Sequence, residues 1–212
     1  AAGIGLSTRM VGRSTSSPAA AEAALRQAPL MGVTGAFLFA AQMVNFPVAV
    51  GTSGHLAGGL LAALLLGPWA GVLIMTAILV VQALLFQDGG ITALGANVLN
   101  MALAGSMGGY LLFRLLQRLL RGRRGATASA FLAAWATVVI SASLAAVEIA
   151  LSGIVPLRSV LGAMAGVHAL IGLGEGLITA AALGFLLRVR PELLYPACRP
   201  AAQSLGSAGV QA

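Results

Sequence analysis

Apolar positions follow one another in long blocks along this chain, at residues 29–48, 48–67, 68–86, 95–113, 127–152 and 157–187. A helix needs about 20 such residues to cross a hydrocarbon core of about 30 Å, and each block meets that length. None alternates with period two, as a barrel strand would. Lipid offers nothing to an unpaired backbone group, so helices are the remaining solution. The expected fold is all-α, a polytopic transmembrane helical bundle of six full spans plus a truncated N-terminal span. Composition agrees: 59% of residues are hydrophobic and 8% charged, with a mean hydropathy of +0.98, against roughly 25% charged in an ordinary soluble domain.

Residues 55–86 are too long for one span, since about 32 residues at 1.5 Å each would make a helix near 48 Å. Gly67-Pro68 in the middle is a natural turn. The pattern therefore predicts one helix beginning near Gly51–His55 and ending at Leu66, and a second from Trp69 to Phe86. Charge supports this division. The twelve basic residues are all arginine, with clusters at Arg9/Arg13/Arg26, Arg114/Arg118/Arg121/Arg123/Arg124 and Arg188/Arg190/Arg199. Placing all three clusters inside requires an even number of spans between them. Four spans between Arg26 and Arg114, and two between Arg124 and Arg188, satisfy that requirement. Val48–His55 and the loop Gln87-Asp88-Gly89-Gly90 then share the outer face. The net charge of +7 implies no nucleic acid, because the arginines flank spans rather than forming a soluble basic face.

Ala1–Thr8 is apolar or small but far too short to cross, and reads as a truncated first span running into Arg9. A secretory signal peptide is not expected, because no basic region precedes a long apolar region with a cleavage site. Residues 13–28 read as an inner linker that ends in a short amphipathic helix. Three regions result: 1–28, truncated span and cytoplasmic linker; 29–190, a transmembrane substrate-capture domain; 191–212, a disordered cytoplasmic tail rich in Ala, Ser, Gly and Pro. Cys198, the lone cysteine, lies in the tail and cannot form an internal disulfide.

Few ionisable groups fall in or near the spans: His55, Asp88, Glu148, His168 and Glu175. A charge at mid-membrane costs about 2.5–3.5 kcal/mol on insertion scales, so such residues face a cavity or a partner. His168 and Glu175 are seven apart and share a helix face. Glu148 lies on the preceding helix at a comparable depth, and the three are expected to form an intramembrane polar cluster, either as packing glue or on a substrate path. His55 is expected to open a helix after the Gly-Thr-Ser-Gly segment, as a ligand. Asn97 and Asn100 are one turn apart and can bond to Gln82 or to the backbone around His55. They serve there either as structural glue or as support for a metal-binding imidazole. Small residues four apart at Gly162/Gly166 and Gly172/Gly176, together with Gly58/Gly59, Gly105 and Gly108/Gly109, suit close helix packing.

Four segments together carry a family resemblance: NFPVAVGTSGH at 45–55, GPWAGV at 67–72, QALLFQDGGITALGANVLNM at 82–101 and HALIGLGEGLIT at 168–179. Over roughly residues 29–190 the chain resembles the cobalt/nickel substrate-capture subunits of energy-coupling factor transporters, the CbiM/NikM family. The resemblance implies a helical membrane subunit of a bacterial or archaeal cell (inner) membrane that takes Co²⁺ or Ni²⁺, as transported substrate, near the outer surface. It implies as partners a second transmembrane coupling subunit, a pair of cytosolic ATPases and a small accessory membrane subunit. In that family the metal is held by the amino terminus, by the histidine at the second position with its backbone nitrogen, and by a histidine in a Gly-Thr-x-x-His segment. Only the last carries over, onto His55. Asp88 and Asn97 match polar positions of the family's outer loop and following helix. With Asn100, Thr52 and Ser53 they are the candidates to support the ligand.

The chemistry is consistent with that implication. Nitrogen donors suit Ni²⁺ and Cu²⁺ and disfavour oxygen-loving Mg²⁺ and Ca²⁺, and one histidine with no nearby cysteine makes no structural zinc site. There is no Gly-rich loop ending in Gly-Lys-Ser/Thr and no lysine at all, so ATP hydrolysis is left to a partner. The alternatives are a membrane enzyme using His168, Glu175 and Glu148, or an energy-coupling subunit for an organic vitamin. The latter would need a roomy pocket with aromatic stacking, and aromatics are 5% here.

Overall fold

The computed structural model describes residues 18–48 and 52–198, with side chains from residue 27 onward. The expected truncated span at Ala1–Thr8, with Arg9, Arg13 and residues 199–212, lies outside the described residues. A long helix α1 (Pro18–Gln42) leads into a two-stranded antiparallel hairpin, β1 (Asn45–Pro47) and β2 (Ser53–His55). Helix α2 (Gly59–Leu66) is followed at once by α3 (Pro68–Val81), which ends in wide π turns at Gln82–Phe86. Next come α4 (Gly90–Asn97), wide turns at Val98–Gly108 and α5 (Gly109–Leu119), stacked end to end. Helices α6 (Gly122–Leu151) and α7 (Leu157–Val189) complete the bundle and pack along one another.

Four helical stretches are long and apolar enough to cross a membrane: Pro68–Phe86, Gly90–Leu119, Gly122–Leu151 and Leu157–Val189. The protein is a multi-pass helical membrane protein. Large exposed hydrophobics, such as Leu85, Leu111, Ile140, Leu170 and Phe185, are distributed over these helices, as expected where the solvent is lipid.

The block at 48–67 departs from the expected full span. Its helix begins at Gly59, not near Gly51–His55, and has 8 residues. At 1.5 Å per residue that is about 12 Å, less than half of a hydrocarbon core. Two glycines set its limits: Gly58 precedes it at φ 73 and Gly67 ends it at φ 90. Pro68 takes the first position of α3, where a missing N–H costs nothing. The turn expected at Gly67-Pro68 is there, and Gly71 fits with its α-carbon side against the Ala63 backbone.

A helix this short survives only if other elements satisfy its ends. At the C-terminal end Tyr195 N–H donates to Leu64 O at 2.8 Å, and Gln27 Nε2 donates to Leu66 O at 3.3 Å. Residues 191–198 are therefore not disordered. They form two 3₁₀ turns, Pro191–Leu193 and Pro196–Cys198, with Leu194 and Cys198 buried against Leu64, Phe113 and Leu187. Likewise residues 18–28 form the start of α1 rather than a separate linker.

These bonds also gather the arginines. Arg114 Nη1 donates to Ala197 O at 3.2 Å, so the end of α5, the end of α7 and the residue after Arg26 meet at one end of the bundle. Arg158 stands apart, in the first turn of α7 at the opposite end. Of the glycine pairs, Gly172 and Gly176 meet Trp135 and Phe131 of α6, and a Cβ on Gly59 would lie 2.7 Å from the Gly105 carbonyl carbon. Gly162, Gly166 and Gly108 meet nothing within 4 Å.

Candidate functional site

The candidate site is the hairpin between α1 and α2. Asn45 pairs with His55, Phe46 with Gly54 and Pro47 with Ser53, and Val48 N–H donates to Thr52 O at 2.9 Å. Gly54 packs closely against α7. A Cβ there would sit 2.6 Å from Ile171 and 3.4 Å from His168 Cε1, both on α7. The hairpin thus lies directly on α7, with His55 half-buried at its last position. His55 does not open a helix, as the sequence suggested. It ends a strand, four residues before α2.

The imidazole is oriented by its own backbone. His55 Nδ1 lies 2.9 Å from Leu56 O. A carbonyl oxygen only accepts, so the proton of this bond sits on Nδ1 and the Nε2 lone pair is left for an outside partner. This is the arrangement by which proteins fix the tautomer of a ligating histidine. Residues just beyond are held on both sides. Ala57 N–H and Gly58 N–H donate to the two carboxylate oxygens of Glu175, at 2.6 Å and 2.9 Å. Gln42 Nε2, at the end of α1, donates to Ala57 O at 2.7 Å. Gln42 is in turn held by Gln82 Nε2, which donates to its Oε1 at 2.9 Å. A cavity of about 30 Å³ lies beside this clamp, lined by Gln42, Ala57, Gly58, Glu175 and Thr179 among others.

Glu148, His168 and Glu175 do not make the polar cluster expected of them. Each has separate partners: Glu148 Oε2 accepts from Asn100 Nδ2 at 2.8 Å, His168 Nδ1 bonds Met164 O at 2.8 Å, and Glu175 holds the start of α2. Of the three, His168 and Glu175 both act on the hairpin segment, from one buried stripe of α7 that also includes Met164, Gly172 and Thr179. Asn97 packs on Gly89 and Asn100 is buried between Glu148 and Ser141, whose Oγ donates to Asn100 O at 2.7 Å. Neither is bonded to His55 or Gln82. Asp88 N–H caps the Gln82 carbonyl at 3.1 Å. The Gln42–Gln82 bond and the Phe39–Phe86 ring contact, centroids 5.3 Å apart, place the hairpin and the 87–90 loop at the same end of the bundle, away from Arg114 and residues 191–198. Among the described residues no group of three or more His, Cys, Asp or Glu is arranged to hold a metal ion.

Gln42, which holds the residue after Leu56, is the part of this clamp that the sequence leaves unremarked. Its only signal is an amide at the end of an apolar block, the kind of residue that in lipid must find an internal partner.

The structure is thus that of a multi-pass helical membrane protein with one imidazole on a clamped hairpin. Residues 2–193 match the family described as cobalt uptake substrate-specific transmembrane region, and the chain belongs to that family, CbiM. It is 43% identical over 173 residues to a putative fused nickel transport protein, NikMN, of Archaeoglobus fulgidus, covering 81% of this chain and 57% of that protein. It is 38% identical over 175 residues to the cobalt transport protein CbiM of Sorangium cellulosum, covering 78% of this chain and 76% of the relative. The chain thus spans little more than half of the fused relative. A crystal structure of a transition metal transporter superposes with a TM-score of 0.81 at 27% identity, covering 99% of this chain and 90% of that one. A truncated transition metal transporter gives a TM-score of 0.77 at 30% identity, over 87% and 88% of the two chains.

Proposed function

We propose that this chain captures Co²⁺ or Ni²⁺ at the outer face of a bacterial or archaeal cell membrane, as the substrate-specificity subunit of an ATP-driven uptake transporter. The observation that carries the reading is His55: one of two histidines in the chain, seated in a hairpin rather than a core helix, with Nδ1 engaged and Nε2 free. A borderline divalent ion that prefers nitrogen donors fits that atom. The relatives named for nickel and cobalt transport support the same substrate class.

In this reading the hairpin fills the outer half of the membrane where α2 stops, so hairpin and α2 together make one crossing, and with α1 the count among the described residues reaches six. Movement inward is driven by a coupling subunit, two cytosolic ATPases and a small accessory membrane subunit. The test is ⁵⁷Co²⁺ or ⁶³Ni²⁺ uptake by cells expressing the full-length gene product with its partners. His55→Ala is expected to abolish uptake while expression and Tm stay near wild type. Uptake that survives the substitution refutes the assignment.

A further inference from the structure

We propose that Glu175 acts on the candidate metal ligand through a single peptide group, so that carboxylate, peptide and imidazole form one hydrogen-bonded relay ending at His55 Nε2. This inference rests on the reading of His55 as a metal ligand. The peptide in question joins Leu56 to Ala57. Its N–H donates to Glu175 Oε2 at 2.6 Å, and its carbonyl oxygen, Leu56 O, receives the Nδ1–H of His55 at 2.9 Å. One rigid planar unit therefore carries a carboxylate at one end and the imidazole at the other, although Glu175 and Ala57 are 118 residues apart in the chain.

Two physical consequences follow. A peptide whose N–H is given to a carboxylate is polarised, and its oxygen becomes a stronger acceptor, because hydrogen bonds in a chain reinforce one another. The stronger acceptor holds the proton on Nδ1 and raises the donor strength of Nε2, the effect that a directly bonded carboxylate has on metal-ligating histidines elsewhere. The second consequence is positional. The next peptide, Ala57–Gly58, is gripped at both ends, by Glu175 Oε1 on its N–H at 2.9 Å and by Gln42 Nε2 on its carbonyl at 2.7 Å. The relay peptide is thereby fixed between α7 and α1. Burial strengthens both effects: Glu175 and Gln42 are 4% and 1% exposed, so water does not compete for these bonds.

Glu175 also stands at the start of α2, where a carboxylate stabilises a helix through its free N–H groups. That role alone would set the stability of α2 and leave the chemistry of His55 untouched. Glu175 is thus a positioning residue whose distinguishing readouts lie at the imidazole.

The experiment uses the full-length gene product, purified in detergent. Calorimetric titration with Ni²⁺, well below the unfolding midpoint, is expected to show Glu175→Gln binding about 10- to 100-fold more weakly than wild type, the usual cost of losing such support. Affinity equal to wild type overturns the relay. Because the substitution also weakens the start of α2, a measurement on unaltered protein stands beside it. In metal-free protein labelled with ¹⁵N-histidine, the resonances that disappear in His55→Ala are expected to show protonated Nδ1. A His55 ring protonated on Nε2 overturns the relay whatever the variant does. Absence of Ni²⁺ binding by the wild type, or wild-type binding by His55→Ala, instead overturns the ligand assignment, and the NMR result still decides the relay.

Discussion

Gln82 donates from Nε2 to Oε1 of Gln42 at 2.9 Å, joining the last turn of α3 to the last turn of α1 immediately before the hairpin. Both amides are buried, at 3% and 1% exposure, and Gln42 Nε2 donates in addition to Ala57 O at 2.7 Å, with the Met75 sulfur at 3.8 Å. An amide in this position has no water to fall back on, so the pair fixes where α1 ends and where the hairpin begins.

That pair is expected to behave as a unit. Gln42→Leu leaves Gln82 Nε2 and Ala57 O without partners, and Gln82→Leu leaves Gln42 Oε1 without one, each at about 1–3 kcal/mol. The double variant should cost less than the sum by about 0.5–3 kcal/mol. Denaturant or thermal unfolding of the four proteins in detergent checks it, and strict additivity would mean the bond contributes nothing.

The glycines separate into two kinds that a spacing rule cannot tell apart. Gly59→Ala puts a Cβ 2.7 Å from the carbonyl carbon of Gly105, backbone that cannot turn aside, and should cost about 1–3 kcal/mol as overpacking. Gly162→Ala meets nothing within 4 Å and removes only helix-interior chain freedom, so it should stabilise by about 0.5–1 kcal/mol. Unfolding midpoints moving in opposite directions are the expected result.

The same contrast explains what was legible in the sequence. Long apolar runs bounded by turn residues located the spans at 68–86, 127–152 and 157–187 to within a few residues, because in lipid the backbone leaves few other solutions. The block at 48–67 misled for the same reason: hydropathy counts apolar residues and is blind to the positive φ of Gly58 and to the Gly54 contact with α7, which together stop the helix and admit a hairpin. His55 stands out from its residue type and segment, and its place on the hairpin does not. The role of Glu175 on residues 57 and 58 does not either, since a bond across 118 residues leaves no trace in local pattern. The Pro and Ala content of the tail suggests disorder and gives no sign that Leu194 and Cys198 are buried in the core.

Leu194 accordingly carries a prediction. It is 1% exposed, in the cluster that holds Leu64 and Leu187, and Leu194→Ala should destabilise by about 2–5 kcal/mol. A protein ending at Arg190 should lose this contact and the Tyr195 bond to Leu64 O as well, freeing the C-terminal end of α2. If residues 191–198 hung free, neither change would move the unfolding midpoint.

The topology is the broadest claim and the easiest to refute. Arg114, Tyr195 and Gln27 bring α5, the segment after α7 and α1 together at one end of the bundle, and the positive-inside rule predicts that this end faces inward. The hairpin and the 87–90 loop, joined by the Gln42–Gln82 bond, are then expected to face outward. Because α2 is only about 12 Å long, it cannot carry the chain across by itself, and Ser53 should lie in an outward-facing recess rather than at the inner surface. Cysteines introduced singly at Ser53 and Gly90 should react with a membrane-impermeant maleimide added to intact cells, whereas cysteines at Arg121 and Arg190 should react only after permeabilisation. Cys198 is 1% exposed and should give little background. Labelling at residue 90 only from inside would reverse the bundle and sink the reading of six crossings.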